Sequence, residues 1–246
     1  MSTVIEPRRA RSARRPLPML QSGDRLKQPE FHRRYLEMPA GQKFELVEGR
    51  VFMPSPVSGP HGIFDNLLGA LLVFYRSQTP GTQDMGNGTI ILDQVNEEQP
   101  DQCLWILPAF GGQTRLKNRK YVMGAPEWVG EIAYSSVAID LYEKQTAYER
   151  NGVHEYLVYC VPDRTFHVFD FKAKSQITPD ARGILRSRAM PGLWIDTAAF
   201  RSNKAARALK TLQAGLDSQE HAEFVARLAS AKKRRKTSGG RSIDRR

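Results

Sequence analysis

The stretch PEWVGEIAYSSVAIDLYEKQTAYERNGVHEYLVY, residues 126–159, constrains the fold more than any other. Trp128 to Tyr134 predicts a short buried strand, bounded by Pro126 and the Ser135-Ser136 pair. Val137 to Asn151 predicts a helix, with Ser136 as N-cap and Gly152 just past its end. His154 to Val161 predicts a second strand. Strand, helix and strand in so short a span imply a crossover unit of an α/β sheet. Two ionic residues sit inside this apolar unit. Glu131 shares its strand face with Val129 and Ala133. Val137, Leu141 and Tyr148 form one helix stripe, and Lys144 falls inside it, while Asp140 and Glu143 read as the exposed side. Burying either ion alone costs on the order of several kcal/mol. Both therefore require a reason to be there.

Charge patterning separates the fold from its ends. The chain of 246 residues has a net charge of +11. Residues 1–27 carry seven Lys/Arg against two acids, and residues 232–246 eight against one, so the other 204 residues stand at −1. The ends read as basic, disordered tails, able to lend salt-sensitive attraction to nucleic acid or simply solubility. Residues 28–200 read as one domain and 201–231 as a helical extension. The first twenty residues hold five arginines and no apolar run of signal-peptide length, and no segment reaches a membrane span. A cytoplasmic protein without membrane contact is expected. Cys103 and Cys160 lie in apolar runs and read as buried thiols, not as a disulfide or zinc site.

The remaining elements follow from pattern. Pro29 to Met38 predicts a short helix, and KFELVEGRVFMPSP a hairpin around Glu48-Gly49. Glu45 and Glu48 flank the hairpin and either face a functional site or, more simply, form the hairpin's solvated face. Gly62 to Ser77 predicts a helix ended by Pro80-Gly81, with His61 at its start as a polar cap or a phosphate contact. GNGTIILDQ and the strand after NEEQPDQ are expected to pair as a hairpin. Two helices are expected between Lys204 and Lys236, with Asp217 and Glu220 as a capping box. Phe224, Val225 and Leu228 form a stripe for the core or for a homodimer partner. No phosphate-loop or dinucleotide motif is present, and His32, His154, His167 and His221 lack metal-ligand spacing.

Asp101 follows Pro100 at a strand start, on the face of Cys103, Trp105 and Leu107. Two carboxylates on neighbouring strands repel unless protonated or bridged by a cation. Magnesium takes one or two carboxylates plus water and phosphate oxygens. A nearby lysine would offset charge in an anionic transition state. A metal site of Asp101 and Glu131 with Lys144 beside it thus accounts for the buried ions. A turn role for Asp101 with a structural Glu131–Lys144 ion pair also fits the spacing.

With these residues in view, the chain resembles the Uma-type (Uma two) group of restriction-endonuclease-like, PD-(D/E)XK proteins. The matching pieces are FELVEGRVFMPSP, His61-Gly62, QPD at 99–101, PEWVGEIAYSS, DLYEKQTAYERNGVHEYLVY and MPGLWID. The resemblance implies an α/β mixed sheet with an α-β-β-β-α-β core and metal-dependent phosphodiester cleavage. Asp101 matches the motif's Asp and Glu131 its second acid. The motif's lysine usually stands two residues after that acid, where this chain has Ala133; Lys144 on the following helix fits the displaced position. The resemblance implies a Mg²⁺- or Mn²⁺-dependent endonuclease acting on DNA, with catalytic residues Asp101, Glu131 and Lys144 and a metal held by Asp101 and Glu131. The alternative is a catalytically inactive nuclease fold that binds nucleic acid or serves as an adaptor.

Overall fold

A computed structural model of the chain describes residues 17–118 and 120–239. In chain order the elements begin with α1 (Gln28–Tyr35), β1 (Glu45–Val47), β2 (Arg50–Phe52), α2 (Gly59–Gln78) and β3 (Thr82–Gly86). There follow β4 (Ile90–Ile91), β5 (Glu97–Glu98), β6 (Gln102–Ile106), β7 (Arg115–Lys117), β8 (Tyr121–Met123) and β9 (Trp128–Ala133). Next come α3 (Val137–Leu141), α4 (Glu143–Asn151), β10 (Glu155–Cys160), β11 (Thr165–Asp170) and β12 (Ser175–Gln176). The chain closes with β13 (Ile184–Arg186), β14 (Trp194–Asp196), α5 (Thr197–Arg201), α6 (Ala205–Leu216) and α7 (Gln219–Gly239).

The central sheet has the order β12-β11-β10-β9-β6-β3. β9 and β10 run parallel, and their neighbours β6 and β11 run antiparallel to them. The α2–β3–β6–β9–α4–β10 sequence is the expected α-β-β-β-α-β core, in a mixed sheet. β9 and β10 are buried along their whole length, as strands covered on both faces must be. On one face, Leu67, Leu68, Leu71, Leu72 and Tyr75 of α2 pack with Leu104, Trp128 and Ile132 of the sheet. Leu212, Phe224 and Leu228 of α6 and α7 join that same cluster. The stripe read as a possible dimer surface is therefore largely core of its own chain. On the other face, Tyr148 of α4 packs with Cys103, Val129, Ala133 and Tyr156, flanked by Val137 and Leu141. Gly130 has a packing reason: a Cβ there would come within 2.6 Å of the Trp128 ring and 3.1 Å of Leu68. A second sheet, β2-β1-β5-β4-β8-β7, lies against α4 through β1.

Several expectations change. The GNGTIILDQ strand does not pair with the strand that follows Asp101. Its two-residue core, β4, pairs with β5, while β6 pairs with β3 and β9. The helix expected over 137–151 is two helices, broken at Tyr142, whose φ of −122° and ψ of −70° leave the helical region. The Asp140 carbonyl turns to accept the Tyr156 hydroxyl at 3.0 Å. Ser136 makes no side-chain cap; its Oγ donates to Asp140. At the start of α7 the Ser218 hydroxyl, not Asp217, accepts the His221 N–H. Within the stretch read as an N-terminal tail, residues 17–27 run along the first hairpin: Leu20 is buried and Leu26 N–H donates to the Gly49 carbonyl. Residues 232–239 continue α7. The remainder of both tails, 1–16 and 240–246, lies outside the described residues. No helix among the described residues is long and apolar enough to cross a membrane.

Candidate active site

Register places the two predicted carboxylates side by side. β6 and β9 pair with Gln102 opposite Gly130, so the next residues outward are Asp101 and Glu131. Backbone hydrogen bonds lock them together. Asp101 N–H donates to Glu131 Oε2 at 3.1 Å, and Ile132 N–H donates to Asp101 Oδ2 at 2.8 Å. Lys144 reaches in from α4 and donates to Glu131 Oε1 at 2.9 Å. The Tyr148 hydroxyl approaches the same oxygen at 3.3 Å. The structure thus brings Asp101, Glu131 and Lys144 into one buried centre, exposed by 6%, 3% and 5%.

Four further groups complete it. Glu45, read from sequence as a solvated hairpin residue, is buried, with Oε2 3.2 Å from Lys144 Nζ. Sequence spacing gives it the outer face of a hairpin, but β1 packs against α4, so that face points inward. Asp140, read as exposed, is also buried and stands 3.5 Å from Lys144 Nζ. It stands three residues after Val137 and four before Lys144, on the same helix stripe, so its burial follows from spacing. His61, capped into α2 by the Ser58 hydroxyl, has Nε2 3.1 Å from Asp101 Oδ2. Glu98 is fully buried, and among the described residues neither of its carboxyl oxygens has a hydrogen-bond partner. Of these, His61 carried a sequence signal in its place at a helix start, Glu45 in its place flanking the hairpin and Asp140 in its spacing to Val137 and Lys144.

The electrostatics follow from one ammonium serving several acids. Burial alone pulls the Lys144 pKa down, but Glu131, Glu45 and Asp140 outweigh it and hold it well above the ordinary range. Lys144 is a charged group inside the protein. Burial, reinforced by Asp101, Asp140 and Glu45, pushes the Glu131 carboxyl well above its ordinary range despite Lys144. Burial also works against ionised Asp101, yet His61 and the Ile132 N–H overcome it and hold that carboxyl low. Burial pushes Glu98 up to about 8.

Glu98 makes a pH test possible. Its unfolded carboxyl ionises near 4.5, whereas the folded one keeps its proton to about 8. Between those values folding takes up a proton, so this group's contribution to stability falls as pH rises. Glu98→Gln removes the titration and keeps the shape. The melting temperature of Glu98→Gln minus that of the wild type is expected to rise by several degrees from pH 5 to pH 8. A difference that does not vary with pH would contradict the assignment.

Among the described residues no group of three or more His, Cys, Asp or Glu side chains is arranged to hold a metal ion by itself. The donor set fits a different kind of site. The adjacent pair Asp101 and Glu131 matches in number the one or two carboxylates that a magnesium ion takes, with water and phosphate oxygens filling the rest. The excess of carboxyls over cations in the centre favours a further positive charge. A surface cavity of about 460 Å³ opens elsewhere, lined by Ile106, His154, Asp170, Arg188 and Phe224 among others, and shares no residue with this centre.

Residues 29–198 match the family Uma2, described as "Putative restriction endonuclease". Among solved structures the fold is similar to that of a "putative nuclease belonging to DUF820" from Anabaena variabilis ATCC 29413. The two share 14% identity at a TM-score of 0.55, over 69% of this chain and 96% of that one. At that identity the likeness establishes a shared fold. No curated protein matches the sequence.

Proposed function

The chain belongs to the Uma2 family of restriction-endonuclease-like proteins, and we propose that its buried centre hydrolyses DNA phosphodiester bonds with a divalent cation. The observation that carries this is the joining of Asp101 and Glu131 across adjacent strands with the Lys144 ammonium on Glu131. Asp101 and Glu131 would hold Mg²⁺ or Mn²⁺, which when bound polarises phosphoryl oxygens and acidifies water. His61 orients the Asp101 carboxylate through Oδ2. Lys144, charged and fixed, offsets the negative charge that builds on the phosphoryl oxygens during in-line attack and helps orient the attacking water. The basic ends of the chain add salt-sensitive phosphate affinity.

A second reading, a nuclease fold retained as a nucleic-acid-binding or adaptor module, draws on one observation. Both Glu131 oxygens are already engaged within the protein, by Lys144 and by the Asp101 N–H. Supercoiled plasmid, single-stranded DNA and RNA, each incubated with Mg²⁺, Mn²⁺ or a chelator, separate the two. The nuclease reading predicts cation-dependent nicking of DNA that the chelator abolishes. Cation-independent DNA binding without cleavage of any substrate would favour the binding module.

A further inference from the structure

We propose that Glu45 is a positioning residue of this centre, holding the Lys144 ammonium on Glu131 and the Gln99–Asp101 turn beside it. The inference rests on the nuclease reading and deepens it. Glu45 comes from β1 of the second sheet, whereas Glu131 lies in the central one. Its carboxylate makes two connections at once. Oε1 accepts the Gln99 backbone N–H at 2.7 Å, two residues before Asp101. Both oxygens also face Lys144 Nζ, Oε1 at 3.3 Å and Oε2 at 3.2 Å.

A lysine ammonium has three N–H donors and no acceptor. Here three carboxyl groups from three elements surround it: Glu131 of β9, Glu45 of β1 and Asp140 of α3. Such three-point fixing holds a flexible four-carbon side chain in one place. With one acid removed, the ammonium can relax toward the other two. Loss of Glu45 would also leave the Gln99 N–H without its carboxylate acceptor at the base of the turn that carries Asp101. Glu45 is itself well anchored. β1 pairs with β2 over three residues and with β5 at Leu46 and Glu97, and Phe44, Leu46 and Val51 form a small core beneath it.

Two variants of the full chain test this. In Glu45→Gln the amide oxygen can still accept from Gln99, but the charge facing Lys144 is gone; Glu45→Ala removes both. For Glu45→Gln, kcat for DNA cleavage is expected to fall by about tenfold to a hundredfold, the effect of a catalytic group shifted by an ångström or less. KM should stay within about twofold, and the melting temperature near that of the wild type. A merely structural residue would instead lower the melting temperature and leave kcat of the folded protein unchanged. The second readout is the side-chain ¹⁵N-ammonium resonance of Lys144, assigned by its absence from Lys144→Met. It should exchange slowly in the wild type and faster in both Glu45 variants. This arm needs no substrate. If the wild type cleaves no DNA, the nuclease reading fails, while faster exchange in Glu45→Gln still supports the hold of Glu45 on Lys144. Unchanged exchange in both folded variants, or wild-type kcat in Glu45→Gln, overturns the proposal.

Discussion

Replacing Lys144 with methionine is expected to abolish DNA cleavage and to destabilise the protein more than any other single change in the centre. The side chain is similar in length, so packing is largely kept and the lost group is the charge. Its removal leaves Glu131, Glu45 and Asp140 buried around a site with no cation. Breaking a buried ion pair from one side costs about 3–5 kcal/mol. For a domain of this size that is on the order of 10 °C in melting temperature. The sign of its pH dependence is fixed. Without the ammonium, which opposes the effect of burial, the folded pKa values of Glu131 and Asp140 rise further above their unfolded ones. The penalty is therefore fully developed at alkaline pH and recedes as pH falls and the acids take up protons. Thermal unfolding from pH 5 to pH 8 should show Lys144→Met approaching the wild type only at the acid end. Cleavage should fall by about a thousandfold or more, because a preorganised charge at the reacting phosphate is lost. A variant as stable as the wild type at pH 8, or one that still cuts DNA normally, would refute the role assigned to Lys144.

Glu131→Gln should give the opposite combination, a folded protein without activity. Glutamine keeps the volume of the side chain, and its amide oxygen can still accept from the Asp101 N–H or from Lys144. Lys144 retains Glu45 and Asp140. The fold is therefore expected to melt within a few degrees of the wild type. Cleavage should nevertheless fall by about a thousandfold, since a neutral amide is a poor ligand for a hard divalent cation. Partial rescue of cleavage by raising Mg²⁺ into the tens of millimolar would locate the loss in metal affinity, as expected of a ligand. Loss of the fold would instead assign the residue a structural task.

The unit from Trp128 to Cys160 was legible because two simple periods meet there: a strand buried on both faces, then a helix stripe interrupted by one charge. Asp101 was legible because alternation along β6 fixes its face, and pairing with β9 sets it next to Glu131. Glu45 was not, since a glutamate in a short hairpin looks solvated until a second layer covers it. Asp140 lies on that same helix stripe by spacing, three after Val137 and four before Lys144, but a second charge there looks solvated until Lys144 is seen to be its partner. The helix break at Tyr142 carries no proline or glycine to announce it, and the Asp140 carbonyl beside it is bonded by a distant hydroxyl, Tyr156. The pairing of β4 with β5 was missed for a related reason. Strands of two residues are too short for alternation to register, and their partners are chosen by the sheet around them. Glu98 belongs to such a strand; its neighbour Glu97 is just as buried but is bonded by Gln28 and His32, whereas the Glu98 oxygens have no hydrogen-bond partner among the described residues.

The centre's claim on a divalent cation can be measured without knowing which DNA is cut. Mn²⁺ is titrated calorimetrically into the wild type and into Glu131→Gln, each alone and with a short DNA duplex. Saturable binding by the wild type is expected, strengthened by DNA whose phosphates complete the coordination shell, and lost in the folded variant. Equal heats from the two proteins, with and without DNA, would contradict the carboxylate site at Asp101 and Glu131.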